Sequence, residues 1–396
     1  MKIIKKQFMQ NIKKCTCIFI LPLILFSSVF AVNYSNAVET KTQIGQQSEI
    51  QDPSILSEEY LNIGKSFYKL GKYEEAMQNY DLAIKYKPDC AQCYNNLGLV
   101  LEDLGQYEKA IQNYDLAIKY DASFAGAYNN KGNAVNKLSK YQEAIQNYDL
   151  SLKYNPHFAV AYNNKGGVLN NLGKYQEAIE QYNLALKYDP KYPEAYYNKG
   201  VSLMSLWQHQ EAIENYDLAI KYKLDYADAY NNKGAALIHL GKYQEALDSC
   251  DIAIKYELNC VEAYYNKAIS LNTLKQYKTA IENCDLAIKY DPNYIASYLE
   301  KSIALRKLGK YQEAIKSCNL AMNRKDDYAE SYLEKAITLV YLNRHKEAKE
   351  NFNLALKYKP NLIIEYEAII NALRKLDNNL MANEFEEKLK ILKNYL

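Results

Sequence analysis

The chain has 396 residues, room for two or three ordinary domains or for one long array of repeats. Its 49 lysines and arginines face 47 aspartates and glutamates, a balance that excludes the broad basic footprint of a nucleic-acid-binding surface. The arginines are Arg306, Arg324, Arg344 and Arg374 alone, and the heavy use of Lys, Asn, Ile and Tyr fits the coding bias of an AT-rich genome rather than a selected surface.

The first 37 residues differ in kind from the rest. Lys2, Lys5, Lys6, Lys13 and Lys14 precede an apolar run from Ile18 to Phe30 that only Pro22, Ser27 and Ser28 interrupt. A basic stretch followed by an apolar one is the layout of a secretory signal. Two small-residue cleavage sites follow, ending at Ala31 and Ala37, and residues 1–37 are predicted to be removed at the second. The run falls short of the ~20 residues that a spanning helix needs. Cys15 and Cys17 precede the run, where a lipoprotein signal would put its cysteine after it. The expected product is therefore soluble, with no stable membrane anchor, and is exported to a bacterial periplasm or secreted. Removal takes five lysines and no acid, turning 49 against 47 into 44 against 47, a net charge of −3.

Residues 38–56 are polar and glutamine-rich with no sustained apolar period, which predicts a disordered linker. From Ser57 the chain repeats. "GKYEEAMQNYDLAIKYKP" (Gly71 to Pro88) returns as "GQYEKAIQNYDLAIKYDA" (Gly105 to Ala122) and again as "GKYQEAIEQYNLALKYDP" (Gly173 to Pro190). The step of 34 residues holds without insertion, so that 57–362 make nine units.

Repeat one carries Tyr60, Ile63, Gly64, Phe67, Ala76, Tyr80 and Pro88. These residues and the 34-residue step resemble the tetratricopeptide repeat family. The resemblance implies an all-α fold, a right-handed superhelical α-solenoid of tandem helix-turn-helix units. Departures are Lys at the usual Leu place from Lys131 to Lys335, Ala268 and Ser302 for Gly, and Trp207 and Lys275 for the turn glycine.

Each unit reads as two helices around a tight turn at Gly71, Gly105, Gly173, Gly241 and Gly309, where glycine supplies a conformation that a β-carbon disfavours. In repeat three, Tyr128, Gly132 and Val135 form one stripe and Ala144, Tyr148, Ser151 and Tyr154 another. A single pair cannot bury its stripe, so neighbours must stack. Pairs such as Asp115 and Lys119, four apart, are expected to lie on a solvated outer face. Residues 363–396 hold a degenerate repeat and a last helix, apolar at Leu380, Phe385, Leu389 and Leu392 and charged at Glu384, Glu387, Lys388 and Lys390, which predicts a cap on the end of the array.

Catalytic chemistry finds no support. His157, His209, His239 and His345 are scattered over the repeats with no second ligand at metal-binding spacing, and no phosphate loop, HExxH or nucleophile elbow is present. No enzyme activity, metal, cofactor or small-molecule substrate is expected. Cys250, Cys284 and Cys318 take the place of Tyr80, Tyr114 and Tyr148 and read as core filler. Cys90 and Cys93 open a helix, where they make a local disulfide or two idle thiols rather than a redox motif, because no βαβ context surrounds them.

One polar residue recurs without an obvious packing reason. The sixth place of each repeat is Asn62, Asn96, Asn130, Asn164, Asn198, Asn232 and Asn266, while the ninth has drifted through Lys65, Leu99, Asn133, Gly167, Val201, Ala235 and Ile269. Such a ladder resembles that of the tetratricopeptide superhelix of O-linked N-acetylglucosamine transferase, in its repeats only. The resemblance implies that the sixth place faces the concave surface and holds the backbone of an extended peptide. A carboxamide offers a donor and an acceptor to match a peptide unit. A rung about every 9 to 10 Å of stacked helices meets a strand rising ~3.3 Å per residue, or about three residues per rung. The carboxylate clamp of chaperone-binding repeats is rejected, because the sixth place becomes Glu300 and Glu334 in repeats eight and nine.

The chain is thus expected to be an exported scaffold that binds a protein or extended peptide. The alternatives are an adaptor docking one folded partner through its outer or C-terminal surface, and an accessory subunit of a cell-envelope or glycan-assembly system.

Overall fold

The computed structural model describes residues 52–395, all of it helix, turn and loop. The expected leader, both cleavage sites and residues 38–51 of the expected linker lie outside the described residues. Two compact units divide the chain after Val168, and each is a tandem array of helix pairs.

The first unit contains α1 (Pro53–Lys69) with α2 (Tyr73–Tyr86), α3 (Ala91–Asp103) with α4 (Tyr107–Tyr120), and α5 (Ala125–Lys137) with α6 (Tyr141–Tyr154). α7 (Ala159–Asn171) spans the division. The second unit continues with α8 (Tyr175–Tyr188), α9 (Pro193–Ser205), α10 (His209–Tyr222), α11 (Ala227–His239), α12 (Tyr243–Tyr256), α13 (Val261–Thr273) and α14 (Tyr277–Tyr290). It closes with α15 (Ile295–Lys307), α16 (Tyr311–Met322), α17 (Ala329–Tyr341), α18 (His345–Tyr358), α19 (Leu362–Lys375) and α20 (Asn379–Lys393). The first helix starts inside the stretch expected to be linker, because the Asp52 carboxylate caps it by accepting from the Ser54 N–H at 2.9 Å and Pro53 sits at its first position.

Two small residues let the helices of a pair close. Ala76, Ala110 and Ala144, with their equivalents in later repeats, are wholly buried, and so are Ala83, Ala117 and Ser151 one turn pair further on. An aromatic clasp joins the open ends: Tyr94 stacks on Tyr120 with ring centroids 5.5 Å apart, and Tyr128 does the same with Tyr154 at 5.5 Å. At the closed end the chain reverses through one left-handed residue. The Gln106 N–H reaches back to Leu101 O at 2.8 Å, and Gly105 between the helices has φ +71°. Lys275 holds the same conformation, φ 62°, with the same closure from Gln276 to Leu271 O at 2.8 Å, so the hydrogen bonds impose the turn even where a side chain resists it.

The outer-face charges pair differently from the expected spacing of four. Asp115 accepts from Lys131 at 2.7 Å and Asp149 from Lys165 at 2.7 Å, each pair joining the second helix of one repeat to the first helix of the next. Asp217 with Lys233, Asp251 with Lys267 and Asp285 with Lys301 repeat the contact in the second unit. This accounts for Lys131, Lys165, Lys233, Lys267 and Lys301 standing where the family keeps leucine, whereas Lys199 and Lys335 face Asn183 and Asn319 at the aspartate's place. Asp81 has Leu97 at that place instead of a lysine, and burial pushes its carboxyl above the ordinary range.

The C-terminal pair covers the end of repeat nine, with Leu362, Tyr366 and Ile370 of α19 in a core with Phe352 and Ala355, and it also reaches beyond that neighbour. A stacked unit touches only its neighbour, whereas Asn378, between α19 and α20, donates to Ile238 O at 2.9 Å and His239 O at 3.1 Å and accepts from the Tyr243 hydroxyl at 2.7 Å. Those groups belong to repeat six. From there α20 runs back to repeat nine, where Leu389 and Leu392 join a core with Leu333, Ile337 and Phe352. The hairpin therefore lies across the first helices of repeats six to nine.

Candidate peptide-binding face

The first helices α1, α3, α5, α7, α9, α11 and α13 present the seven asparagines of the sixth place. Asn62 is exposed, Asn96, Asn130, Asn164, Asn198 and Asn232 are half-buried, and Asn266 is buried. The central ones are not free amides along a wall of solvent. Asn130 Nδ2 donates to Asn95 Oδ1 of the preceding repeat at 3.0 Å, and its own Oδ1 accepts from Asn129 Nδ2 at 3.2 Å. Asn164 Nδ2 in turn donates to Asn129 Oδ1 at 3.1 Å. With Asn163 donating to Asn164 at 3.5 Å and Asn95 to Asn96 at 3.5 Å, one directed chain of amides runs from Asn163 through Asn164, Asn129, Asn130 and Asn95 to Asn96.

The relay stops where the sequence removes its next acceptor. Repeat one has Leu61 at the fifth place, and the buried Asn96 Nδ2 finds no hydrogen-bond partner. The second unit holds a like relay: Asn266 donates to Asn231 at 2.9 Å, Asn231 to Asn232 at 3.3 Å, and Asn232 to the Tyr197 hydroxyl at 3.0 Å. Sequence reasoning singled out the sixth residue and missed the fifth. The signal was the Asn-Asn doublet itself, present in "AYNNKG" at Asn129-Asn130, Asn163-Asn164 and Asn231-Asn232.

A carboxamide has two N–H donors and two acceptor sites. Asn130 spends one of each on the relay and keeps one of each, whereas Asn164 spends both donors, the second on Asn133 Oδ1 at 3.0 Å. The Tyr148 hydroxyl also donates to Asn133, at 2.8 Å, tying the face to the buried ring beneath it.

In repeats eight and nine carboxylates replace the amides and remain bridges. Glu300 Oε1 accepts from Asn272 Nδ2 at 2.7 Å; burial pushes its carboxyl up, against the pull of that amide. Glu334 pairs with Arg306 at 2.6 Å, both side chains under 5 % exposed. Breaking such a pair by removing one partner costs about 3 to 5 kcal/mol.

The structure also joins residues that the sequence scattered. His209 and His239 stack with ring centroids 4.6 Å apart, and Trp207 stands edge-on to both. Parallel rings do not converge their nitrogens on one ion, and among the described residues no group of three or more His, Cys, Asp or Glu is placed to hold a metal. Cys90 and Cys93 form a disulfide. Cys250, Cys260, Cys284 and Cys318 are buried thiols; burial raises Cys250 to about 12 and Cys260 to about 11, far from a reactive thiolate. No described helix is long and apolar enough to cross a membrane.

Family profiles described as TPR repeat match residues 64–105 and 166–206. Others described as tetratricopeptide repeat match 91–124, 125–158, 197–255, 261–294, 295–328 and 329–362. None of the curated proteins matches the chain. Among solved structures, the APC/C hetero-tetramer Cut9–Hcn1 is similar over 87 % of this chain and 81 % of that one, at 13 % identity and a TM-score of 0.52. PilF of Pseudomonas aeruginosa covers 54 % of this chain, over 97 % of its own, at 18 % identity and a TM-score of 0.49. A tetratricopeptide repeat protein of Parabacteroides merdae covers 63 %, over 98 % of its own, at 15 % identity and a TM-score of 0.48.

Proposed function

Because the chain belongs to the tetratricopeptide repeat family, we propose that it is an exported, non-enzymatic scaffold that takes an extended polypeptide segment along the face of its first helices. The observation that carries this reading is the half-buried amide row. Asn130 keeps an N–H and a lone pair beyond those spent on its neighbours, the two groups that a peptide unit needs. The relay fixes Asn130, Asn164, Asn232 and Asn266 in one orientation, so that little rotamer entropy is lost when a strand is bound. Contacts to backbone rather than side chains give breadth of ligand, not sequence specificity. Export rests on the basic and apolar leader, and the Cys90–Cys93 disulfide is what an oxidising compartment permits. N-terminal sequencing of the mature protein should begin at Val38.

Binding of a panel of unrelated linear peptides tests the groove. Asn96→Ala, Asn130→Ala and Asn164→Ala together should lower affinity at least about tenfold, since each lost contact costs about 0.5 to 1.5 kcal/mol. Asn95→Ala with Asn129→Ala breaks the same relay but leaves the proposed contact groups, and should weaken binding less. Equal loss in both variants, or none in either, assigns the amides to the fold alone.

A further inference from the structure

The hairpin laid over repeats six to nine leaves two buried polar atoms poorly served. Glu334 is 3 % exposed, and its Oε2 has no hydrogen bond. Its nearest cation from α20, Lys388 Nζ, stands 3.6 Å away, an ion-pair distance and not a bond. Asn272, 4 % exposed, likewise has an Oδ1 without a donor. Both lie on the first-helix face, at places six and twelve of the repeat. Beside them α20 makes its good contacts through Glu387, which accepts from the Tyr341 hydroxyl at 2.8 Å and from Lys307 at 3.2 Å. A gap remains between Ile303, Ile337 and Arg306 on the array and Glu384 and Ile391 on α20. The surface is therefore built for a helix with a carboxylate beside a cation and apolar residues around them, and α20 fits it imperfectly.

We propose that the first-helix face of repeats seven to nine is a docking site for an amphipathic helix of a partner protein, which presents a carboxylate to Lys307 and Tyr341 and an arginine to Glu334. In the free chain α20 occupies this site as a surrogate. Arg306 already holds Glu334 Oε1 at 2.6 Å, and an arginine is the better cation for the remaining Oε2 because its longer planar head carries several N–H donors, where the Lys388 ammonium stops short at 3.6 Å. The tether keeps α20 at high effective concentration, so the site yields only to a helix that binds better. The face continues the row of sixth places into repeats eight and nine, where Glu300 and Glu334 replace the amides, but its ligand is a helix and not an extended strand, and the proposal stands without the amide contacts.

The test uses the full chain and labelled synthetic peptides of residues 377–395: one of native sequence, one with Lys388→Arg, and one with Glu387→Lys and Lys388→Glu. In a full-length variant carrying Glu387→Ala and Lys388→Ala, α20 competes weakly. Fluorescence polarisation should then show the Arg peptide binding about tenfold tighter than the native one and the charge-swapped peptide not binding. The unaltered chain should bind the Arg peptide at least about tenfold more weakly than this variant. Adding Glu334→Gln to the variant should erase the preference for arginine. Circular dichroism checks that each chain keeps its helices, and a variant that loses them is replaced by Ile391→Ala, which loosens α20 without touching a charge. Equal binding by the unaltered and loosened chains, or no binding by a helical loosened chain, overturns the proposal. So does a dimer exchanging α20 between copies that excess Arg peptide fails to dissociate.

Discussion

Gly98 and Tyr114 are matched in volume across their repeat: a β-carbon on Gly98 would stand 2.5 Å from Tyr114 Cε1, closer than any real contact. The same fit recurs at Gly64 with Tyr80, Gly132 with Tyr148 and Gly200 with Tyr216. Where the ring shrinks to Cys284 or Cys318, the facing glycine has grown to Ala268 or Ser302, and Ser302 Oγ lies 3.1 Å from Cys318 Sγ. The departures from the family pattern at these places compensate one another. Gly98→Ala should therefore destabilise repeat two by about 1 to 3 kcal/mol. Tyr114→Cys alone should cost about 3 to 5 kcal/mol, through the cavity it leaves. The double variant should cost clearly less than the sum of the two. Hydrogen exchange of α3 and α4 reads all three, and strict additivity would show that the two sites are not coupled.

The amide relay makes each central asparagine a tie between repeats. Asn130→Ala removes a donor to Asn95 and an acceptor for Asn129, and should cost about 1 to 3 kcal/mol. The loss should fall on the boundary between repeats two and three. Asn62→Ala, at an exposed place, should cost nearly nothing and gain slightly from alanine's helix preference. Chemical denaturation followed by circular dichroism compares the two; equal midpoints would mean that the relay contributes no stability.

The stacked histidines give the second unit a pH dependence. Burial, helped by the neighbouring His239, lowers the His209 imidazole from 6.5 to about 4, and burial lowers His239 as well. A base whose folded pKa lies below its unfolded one takes up a proton on unfolding. Stability from this pair is therefore complete above about pH 6.5 and drains away as pH falls towards about 4. Thermal melts across that window should show a slope that is shallower in His209→Tyr, which installs the residue found at Tyr243 in the next repeat. An unchanged slope would place the acid sensitivity in carboxylates instead.

The periodic part of the fold was legible because helix pairs of fixed length repeat their buried positions at fixed offsets. Tyr80, Ala76 and Gly64 announce the same contacts in each repeat. What escaped the sequence were relationships that run between repeats or against the period. Asp115 was matched to Lys119 on its own helix, yet it reaches Lys131 on the next one, since a short carboxylate there points across the boundary rather than along the axis. His209 and His239 hold different places in their repeats, and only stacking brings those places together. The course of α20 was hidden for another reason. Its apolar stripe announced a cap on repeat nine, but its anchorage on repeat six rests on Asn378, which sits in a turn that looks ordinary.

Two kinds of strap cross the later boundaries, a lysine to an aspartate and an amide to an amide, and the first boundary has neither, because Leu97 and Leu61 occupy the places concerned. A pull on the N-terminus would thus peel repeat one away against apolar contact and the Tyr68 hydroxyl on Asp103, a resistance that depends little on salt. From repeat two onward the same apolar contact is joined by the neutral amide strap and by an exposed ion pair, of which only the pair is screened by ionic strength. The first unit is in this sense graded along its length: its leading edge holds by contact alone, and only the repeats behind it carry an added, salt-sensitive increment of about 1 kcal/mol or less per boundary.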